Sequence, residues 1–370
     1  MTIRRFLFCI AAISLFSSFL PVAYAVDSRG IEAVRGKKVL DSADLKVIDD
    51  FLAQALNEIL NTDDFTSISN TRAIIIANSA STEPGQVQFA EQFSQSAQSR
   101  ILAALQQADG LTPPSRRFRI VTNLLMLLDD LADLRLINLP LKYVDGKNAV
   151  ISYWAVHCVT NPGIINKLNS GKEPDAARQI VRRLDEIIPV AEPETLGLIA
   201  TFGGSVKIPD GAELLFKVAD RRIASYADWS VKYELLDAAI LQLLADKMEP
   251  ANPGRAEAAK RFGQMYSYVF QRYIKGDKTL NKTQKEQLAS VLVETEKNCL
   301  HKLLKKQSNA IKKAVDAGDL NVLLTEHNNL LGNPTKQGTL TAEINFDYGK
   351  AADGSQLKSP LVLAEPGKSS

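Results

Sequence analysis

The chain has 370 residues, of which 45% are hydrophobic and 23% are charged, and its formal net charge at pH 7 is +2. A balance so close to neutral argues against a protein held to nucleic acid or anionic lipid by bulk positive charge. The length is sufficient for one elongated domain or two compact domains.

The N-terminus has the three-part pattern of a secretory signal peptide. An arginine pair precedes the apolar stretch Phe6–Leu20, and an Ala-Tyr-Ala sequence ending at Ala25 supplies small residues at the positions that a signal peptidase reads. The apolar stretch is shorter than the ~20 residues that a transmembrane helix needs. We therefore predict that residues 1–25 are removed and that the protein is exported, to the periplasm or the extracellular space.

The same residues distinguish between export routes. Phe6 follows the arginine pair directly, whereas the twin-arginine signal has its phenylalanine two positions later, so the general secretory route fits better. A lipoprotein would need a cysteine at the end of the apolar stretch, but Cys9 lies inside it. Removing residues 1–25 would leave 42 basic and 42 acidic side chains. We expect the exported chain to bind no nucleic acid and to lack an integral membrane segment.

After residue 25 we expect a linker over residues 26–40 and helices over residues 41–332, because apolar residues recur every three or four positions. Asp41 or Ser42 can cap the first helix. Prolines stand where later helices should begin, since a proline in the first turn loses no hydrogen bond. About a dozen helices joined by short turns are predicted. The prolines are Pro113, Pro162, Pro174, Pro193 and Pro253, and the apolar faces are Leu45-Ile48-Leu52-Leu56-Ile59, Leu215-Val218-Arg222-Ile223-Tyr226 and Val231-Leu235-Ala239-Leu243.

Many short-linked amphipathic helices form either a globular bundle or an α-solenoid, and two segments favour the solenoid. Asp145–Val159 reads DGKNAVISYWAVHCV, and Asp228–Ile240 reads DWSVKYELLDAAI. Both resemble the second-helix signature of HEAT-like repeats, in which an aspartate-containing turn leads into a valine, a basic residue and then alanines. Ile151 replaces the basic residue in the first segment, and the turn of the second is shorter. The matching residues are Asp145, Val150 and Ala155, and Asp228, Val231, Lys232, Ala238 and Ala239.

This resemblance covers about two repeats. It implies an all-α fold of stacked antiparallel helix pairs, with a repeat of ~40 residues that would give about seven pairs over residues 41–332.

The C-terminal tail, residues 333–370, differs from the helical region in its sequence pattern. From Thr339 to Tyr348 apolar and polar residues alternate, which predicts a strand. The apolar run 361–363 could pair with it as a short β-hairpin, which must pack on the helices or stay partly disordered.

One acidic cluster matches a catalytic motif. Residues 129–133 read DDLAD, the spacing of the DDxxD sequence of class I isoprenoid synthases, whose carboxylates hold magnesium against a diphosphate. The second metal-binding motif of those enzymes is absent from the sequence. The simpler interpretation is the solvated acidic face of a helix whose apolar side carries the neighbouring leucines.

Histidine and cysteine come together twice, at His157 with Cys158 and at Cys299 with His301. Neither pair has the spacing that places both side chains on one helical face, so we expect no metal site. The two cysteines could form a disulfide in an oxidising compartment, but both also have the character of small core residues. Nucleophile elbows and phosphate loops are absent from the sequence, and no cofactor is expected.

The candidate binding surface lies in the basic segment 282–313, where eight lysines meet three acids. An exposed helix face is the simplest interpretation. The functional interpretation is a contact surface for an acidic protein or an anionic envelope polymer. Arginine pairs at 116–117, 182–183 and 221–222 could line the same surface, or could simply make ion pairs along it. The candidate residues are Lys302, Lys305, Lys306, Lys312 and Lys313.

We therefore predict an exported helical-repeat protein that is a binding or scaffold module for another macromolecule in the cell envelope. The alternative is an all-α hydrolase or lyase that acts on an envelope polymer through dispersed carboxylates, of which Glu192 and Glu194 are examples. Two facing carboxylates in an acidic cleft would favour the enzyme. A groove with exposed basic or aromatic side chains would favour the binding module.

Overall fold

The computed structural model describes residues 26–79, 84–208, 210–351 and 353–367, which are mainly helical. One two-stranded antiparallel sheet lies near the C-terminus, so the all-α class with a short hairpin is confirmed. The predicted signal peptide lies outside the described residues. The helices are α1 (Arg29–Arg35), α2 (Ser42–Asn61), α3 (Phe65–Ala77), α4 (Val87–Asp109), α5 (Pro114–Leu131), α6 (Ala149–Val159), α7 (Pro162–Asn169), α8 (Pro174–Ile187), α9 (Pro193–Ser205), α10 (Gly211–Ala227), α11 (Leu236–Lys247), α12 (Arg255–Lys275), α13 (Lys282–Thr295), α14 (Ala310–Ala317), α15 (Leu320–Leu331) and α16 (Thr339–Ile344); the strands are β1 (Gly332–Asn333) and β2 (Lys336–Gln337).

The described residues fall into two compact units, the first ending at Leu127 and the second beginning at Leu128. In the first unit, α2 contacts α1, α3 and α4. The Asp41 carboxylate accepts hydrogen bonds from two backbone N–H groups at the start of α2, and Asp44 completes a capping box. Residues 26–40, predicted to be a linker, thus contain a helix, α1, that packs on α2.

Neighbouring helices of the second unit are stacked. Helix α9 contacts α10 and α11, α10 contacts α11 and α12, and α11 contacts α12 and α13. Contact between a helix and the next two along the chain is typical of stacked helix pairs, because each pair touches only its neighbours. The C-terminal helices depart from this order, since α15 and α16 fold back onto α12.

Most residues of helix α12 are buried, because helices that precede it and helices that follow it in the chain both pack against it. Phe262, Tyr266 and Phe270 recur one helical turn apart, with ring centroids separated by 5.7 Å and 4.8 Å. Tyr348 of the tail packs beside them at Gly263, where a Cβ atom would meet the tyrosine hydroxyl at 2.7 Å. A glycine is therefore needed on this face of α12 for the tail to approach.

The predicted helical face Val231-Leu235-Ala239-Leu243 is wrong in its start and orientation. Helix α11 begins only at Leu236, and Trp229 and Tyr233 adopt left-handed backbone angles, with φ of 58° and 55°. Leu235 is 49% exposed, whereas Asp237 is buried on the inner face of α11. The inner face of α11 instead carries Ile240, Leu241 and Leu244 together with Asp237.

The predicted strand at Thr339–Tyr348 is also wrong, because residues 339–344 form helix α16. Leu340 and Ile344 are both buried and stand one helical turn apart, a spacing that strict alternation also contains. Asn345, with φ of 58°, ends the helix. The hairpin instead joins β1 to β2, with Gly332 opposite Gln337.

Candidate functional site

The basic segment is interrupted in the structure. Helix α13 ends at Thr295, a π-helical turn follows at Glu296–Leu300, and α14 begins at Ala310 after the turn His301–Leu303 and a loop. The five candidate lysines are all exposed on this stretch. Among the apolar residues of the same segment, Leu300 and Ile311 are buried, whereas Leu303, Leu304 and Val315 are partly exposed.

Glu296 holds the loop between these helices in place. The residue is only 3% exposed, and its carboxylate accepts hydrogen bonds from the backbone N–H groups of Ile311 at 3.0 Å and Lys312 at 2.9 Å. These N–H groups lie at the start of α14, where they lack partners in the helix and favour a negative charge. In the sequence Glu296 counts as a charge that offsets the lysines, whereas its role in the structure is to cap α14.

The candidate lysines differ in their partners. Lys302 Nζ lies 3.3 Å from Asp246 and 2.7 Å from Glu249, and its pKa is raised above the ordinary value by the hydrogen bond to Glu249. Lys312 pairs with Asp316 one turn further along α14. Within the ranges that the structure describes, the candidate lysines without a carboxylate partner are Lys305, Lys306 and Lys313.

The acidic cluster at residues 129–133 is not a uniformly solvated face. Asp129 is buried, accepts a hydrogen bond from Asn161 Nδ2 at 2.8 Å, and lies 3.0 Å from His157 Nδ1. Asp133 turns away to receive hydrogen bonds from Arg135. The first aspartate therefore ties the end of α5 to α6 and α7, which is a structural role.

The two cysteines are buried and unbridged. Burial raises the pKa of the Cys158 thiol well above its usual value and that of Cys299 to about 12, so both stay protonated at neutral pH. His157 packs among aromatic rings, 5.3 Å from the Trp154 ring. In the described part of the chain, no three His, Cys, Asp or Glu side chains are grouped so that they could hold a metal ion.

Three open cavities lie between neighbouring helices from α6 to α10, with volumes of about 300, 490 and 390 Å³. Asp145, Glu186 and Glu192 line the first. Arg183 lies 3.1 Å from Asp145 and 2.6 Å from Glu186, so both carboxylates are ion-paired. Arg182 lines the second cavity. Of the three carboxylates that line the first cavity, Asp145 and Glu186 thus meet an arginine, whereas Glu192 has no ion-pair partner among the described residues.

A buried cluster of polar side chains joins α10 to α11. Arg222 Nε and Nη2 donate to the Asp237 carboxylate at 2.7 Å and 2.9 Å, and the Tyr226 hydroxyl donates to it at 2.6 Å. Arg222 is 2% exposed and Asp237 is fully buried. Burial raises the pKa of Tyr226, so its hydroxyl stays neutral and can donate. Arg222 is therefore buried in an ion pair and does not line a surface with the other arginines.

A second buried polar chain joins α12 to α15. Gln271 Nε2 lies 2.8 Å from Ser267 Oγ, which lies 2.8 Å from His327 Nε2, and His327 Nδ1 lies 3.1 Å from Asn328 Oδ1. One arrangement satisfies every donor: Gln271 donates to Ser267, the serine hydroxyl donates to a neutral His327, and His327 donates to Asn328. Burial lowers the pKa of His327, and the bond with Asn328 only partly opposes this.

This histidine predicts a pH dependence of stability. Because its folded pKa lies below its unfolded pKa of about 6.5, the unfolded state binds more protons in this range. The stabilisation is complete above about pH 6.5 and decreases as the pH falls towards the folded pKa. Between about pH 7.5 and about pH 5.5, urea midpoints should fall more for the wild type than for the His327→Gln variant. An equal fall of the urea midpoint in the wild type and in the His327→Gln variant would contradict the prediction.

Comparison with known proteins adds no assignment to these sites. Among the described helices, none combines the length and the apolar character that crossing a membrane requires. No protein family and no curated protein matches the chain.

Proposed function

We propose that the chain is an exported helical-repeat protein of the HEAT-like type that binds an acidic macromolecule of the cell envelope. The main support for the binding proposal is the exposure of three lysines that lack carboxylate partners among the described residues. Lys305, Lys306 and Lys313 are exposed and have no carboxylate partner in the described part of the chain. They lie on a loop and helix start that the buried carboxylate of Glu296 holds in place.

The local charge supports an acidic partner. From Lys297 to Val315 the sequence contains six lysines and no aspartate or glutamate. The whole chain has a net charge of only +2, so this excess is a local feature and not part of a general basic character. Screening at physiological salt limits its reach to about 8 Å, which is enough for direct contact with carboxylate or phosphate groups.

The repeat proposal is supported by the contacts between successive helices from α9 to α13. In the first segment that resembles a HEAT-like repeat, Asn148 caps α6 and Ala155 is buried. The export proposal is supported by the signal-peptide pattern of residues 1–25. A rigid stack of helix pairs suits a scaffold because it presents a fixed and extended surface.

Charge reversal tests the binding proposal. The Lys305→Glu/Lys306→Glu/Lys313→Glu variant should bind poly-L-glutamate at least about tenfold more weakly than the wild type at low salt, since three attractions become repulsions. Fluorescence anisotropy with labelled poly-L-glutamate measures the affinity. The matched control is Lys38→Glu/Lys172→Glu/Lys278→Glu, which changes the net charge equally at exposed lysines elsewhere.

The control should keep the wild-type affinity. If both variants lose affinity equally, only bulk charge matters and the surface is not a binding site. If the wild type does not bind poly-L-glutamate at all, the proposal of an acidic partner is wrong.

A further inference from the structure

Residues 359–365, close to the end of the described part of the chain, cross α12 without forming regular secondary structure. We call this segment the C-terminal strap. Residues 361 and 363 both direct their backbone groups towards the helix, which is the two-residue period of an extended chain. Ser359, Pro360 and Leu363 are buried, while Leu361 and Val362 are 55% and 68% exposed.

Two glutamine side chains of α12 bind the backbone of the strap. Gln264 Oε1 accepts a hydrogen bond from the Leu361 N–H at 2.8 Å, and its Nε2 donates to the Leu361 carbonyl at 3.3 Å. Gln271 Oε1 accepts from the Leu363 N–H at 2.7 Å, and its Nε2 donates to the Leu361 carbonyl at 3.2 Å. The side-chain amides thus take the place that a neighbouring strand would have in a sheet.

Two further side chains hold the end of the strap. Lys275 Nζ donates to the Leu363 carbonyl at 2.6 Å and lies 3.1 Å from the Glu365 carboxylate. Trp229 Nε1 donates to the Ala364 carbonyl at 3.0 Å. The side chain of Leu363 is the main apolar anchor, since it is only 1% exposed.

These groups are oriented by interactions that do not involve the strap. Ser267 accepts a hydrogen bond from Gln271 and fixes the direction of its amide. Trp229 is held with φ of 58° by Arg272, which donates to its carbonyl at 3.2 Å and stacks 5.2 Å from its ring. Arg272 is held in turn by Glu234 at 3.2 Å. A strained backbone supported in this way is typical of contact sites for ligands.

We propose that Gln264, Gln271, Lys275 and Trp229 form a recognition site for an extended peptide of a partner protein, and that the strap occupies this site until such a peptide displaces it. Hydrogen bonds to the backbone do not depend on the ligand's side chains. Selectivity for one peptide sequence over another comes from the buried position that the Leu363 side chain occupies and from the positive charge of Lys275, which pairs with Glu365. The preferred ligand therefore has an apolar residue followed two positions later by an acidic residue.

The exposure of the strap favours exchange. A permanently packed segment would bury its apolar side chains, but Leu361 and Val362 remain more than half exposed. Most of the contacts are hydrogen bonds that any extended peptide can make. The proposal is independent of the lysine surface, which lies on other residues.

Peptide binding to the full chain tests this site. The probe is a fluorescent peptide with the sequence of residues 357–367, LKSPLVLAEPG. The Leu363→Ser variant, whose strap has lost its anchor, should bind the probe at least about tenfold more tightly than the wild type, because the site is free more often. Adding Gln271→Ala should weaken binding at least about tenfold, whereas adding Gln107→Ala, an exposed glutamine in the first unit, should not.

A Leu363→Ser chain with the wild-type circular dichroism spectrum that does not bind the probe would overturn the proposal. So would equal affinities with and without Gln271→Ala. If the Leu363→Ser variant does not fold, hydrogen exchange of the wild type tests whether the strap opens. The Leu361 and Leu363 amides should then exchange at least about 100-fold faster than amides at the centre of α12. Equal protection would show that the strap does not open.

Discussion

The Asp237→Ala variant should lose about 3–5 kcal/mol of unfolding free energy, the largest effect that we expect from one substitution. It leaves the guanidinium of Arg222 buried without its carboxylate partner, at a site where the arginine is 2% exposed. The Tyr226 hydroxyl loses its acceptor at the same time. Removing one member of a buried ion pair costs far more than the pair contributes, because the remaining charge cannot be hydrated.

Urea unfolding followed by circular dichroism measures this loss. The matched control is Asp185→Ala, which removes an exposed ion pair with Lys217 and should cost less than about 1 kcal/mol. The Arg222→Met/Asp237→Leu double variant should recover most of the stability, since apolar residues of similar size can replace a buried pair. A loss for Asp237→Ala no larger than the control's would mean that water reaches Arg222.

The Glu296→Ala variant should lose about 2–3 kcal/mol, because two backbone N–H groups at the start of α14 lose a charged acceptor. The loop that carries the candidate lysines should then become mobile. Hydrogen exchange at the Ile311 and Lys312 amides should accelerate along with the fall in stability. The affinity for poly-L-glutamate should also fall, although no lysine has been changed.

Glu294→Ala is the matched control, since Glu294 is an exposed glutamate two residues earlier that accepts one hydrogen bond, from Ser290. The Glu294→Ala variant should lose no more than about 0.5 kcal/mol of unfolding free energy. Equal losses for the two variants would show that the cap contributes no more than a surface charge.

The helical architecture follows largely from local patterns. Asp41 caps the first predicted helix, and Ile48 and Leu52 lie on its buried face as their spacing requires. Pro162, Pro174 and Pro193 each stand in the first turn of a helix. These features act within one or two turns, so the residues that determine them are close in sequence.

Other features depend on residues that are distant in sequence. The partner of Asp237 is 15 residues away, the partner of Gln271 in the strap is 92 residues away, and Glu296 caps a helix that starts 14 residues later. Apolar spacing cannot indicate such pairs, because their benefit arises only after both groups have left water.

The lysine surface likewise combines features that neighbouring residues determine with features that distant residues determine. The chain's composition and the run of lysines predict a local positive charge, and the structure places all five lysines on the surface. Which lysines remain without carboxylate partners depends on Asp246 and Glu249, which lie on and just beyond another helix. The sequence by itself therefore determined the helical class, the helix starts at Asp41, Pro162, Pro174 and Pro193, and the local charge, since each arises from neighbouring residues. Only the tertiary structure decided which charges are paired, which are buried and which segment crosses α12, because those depend on contacts between distant parts of the chain.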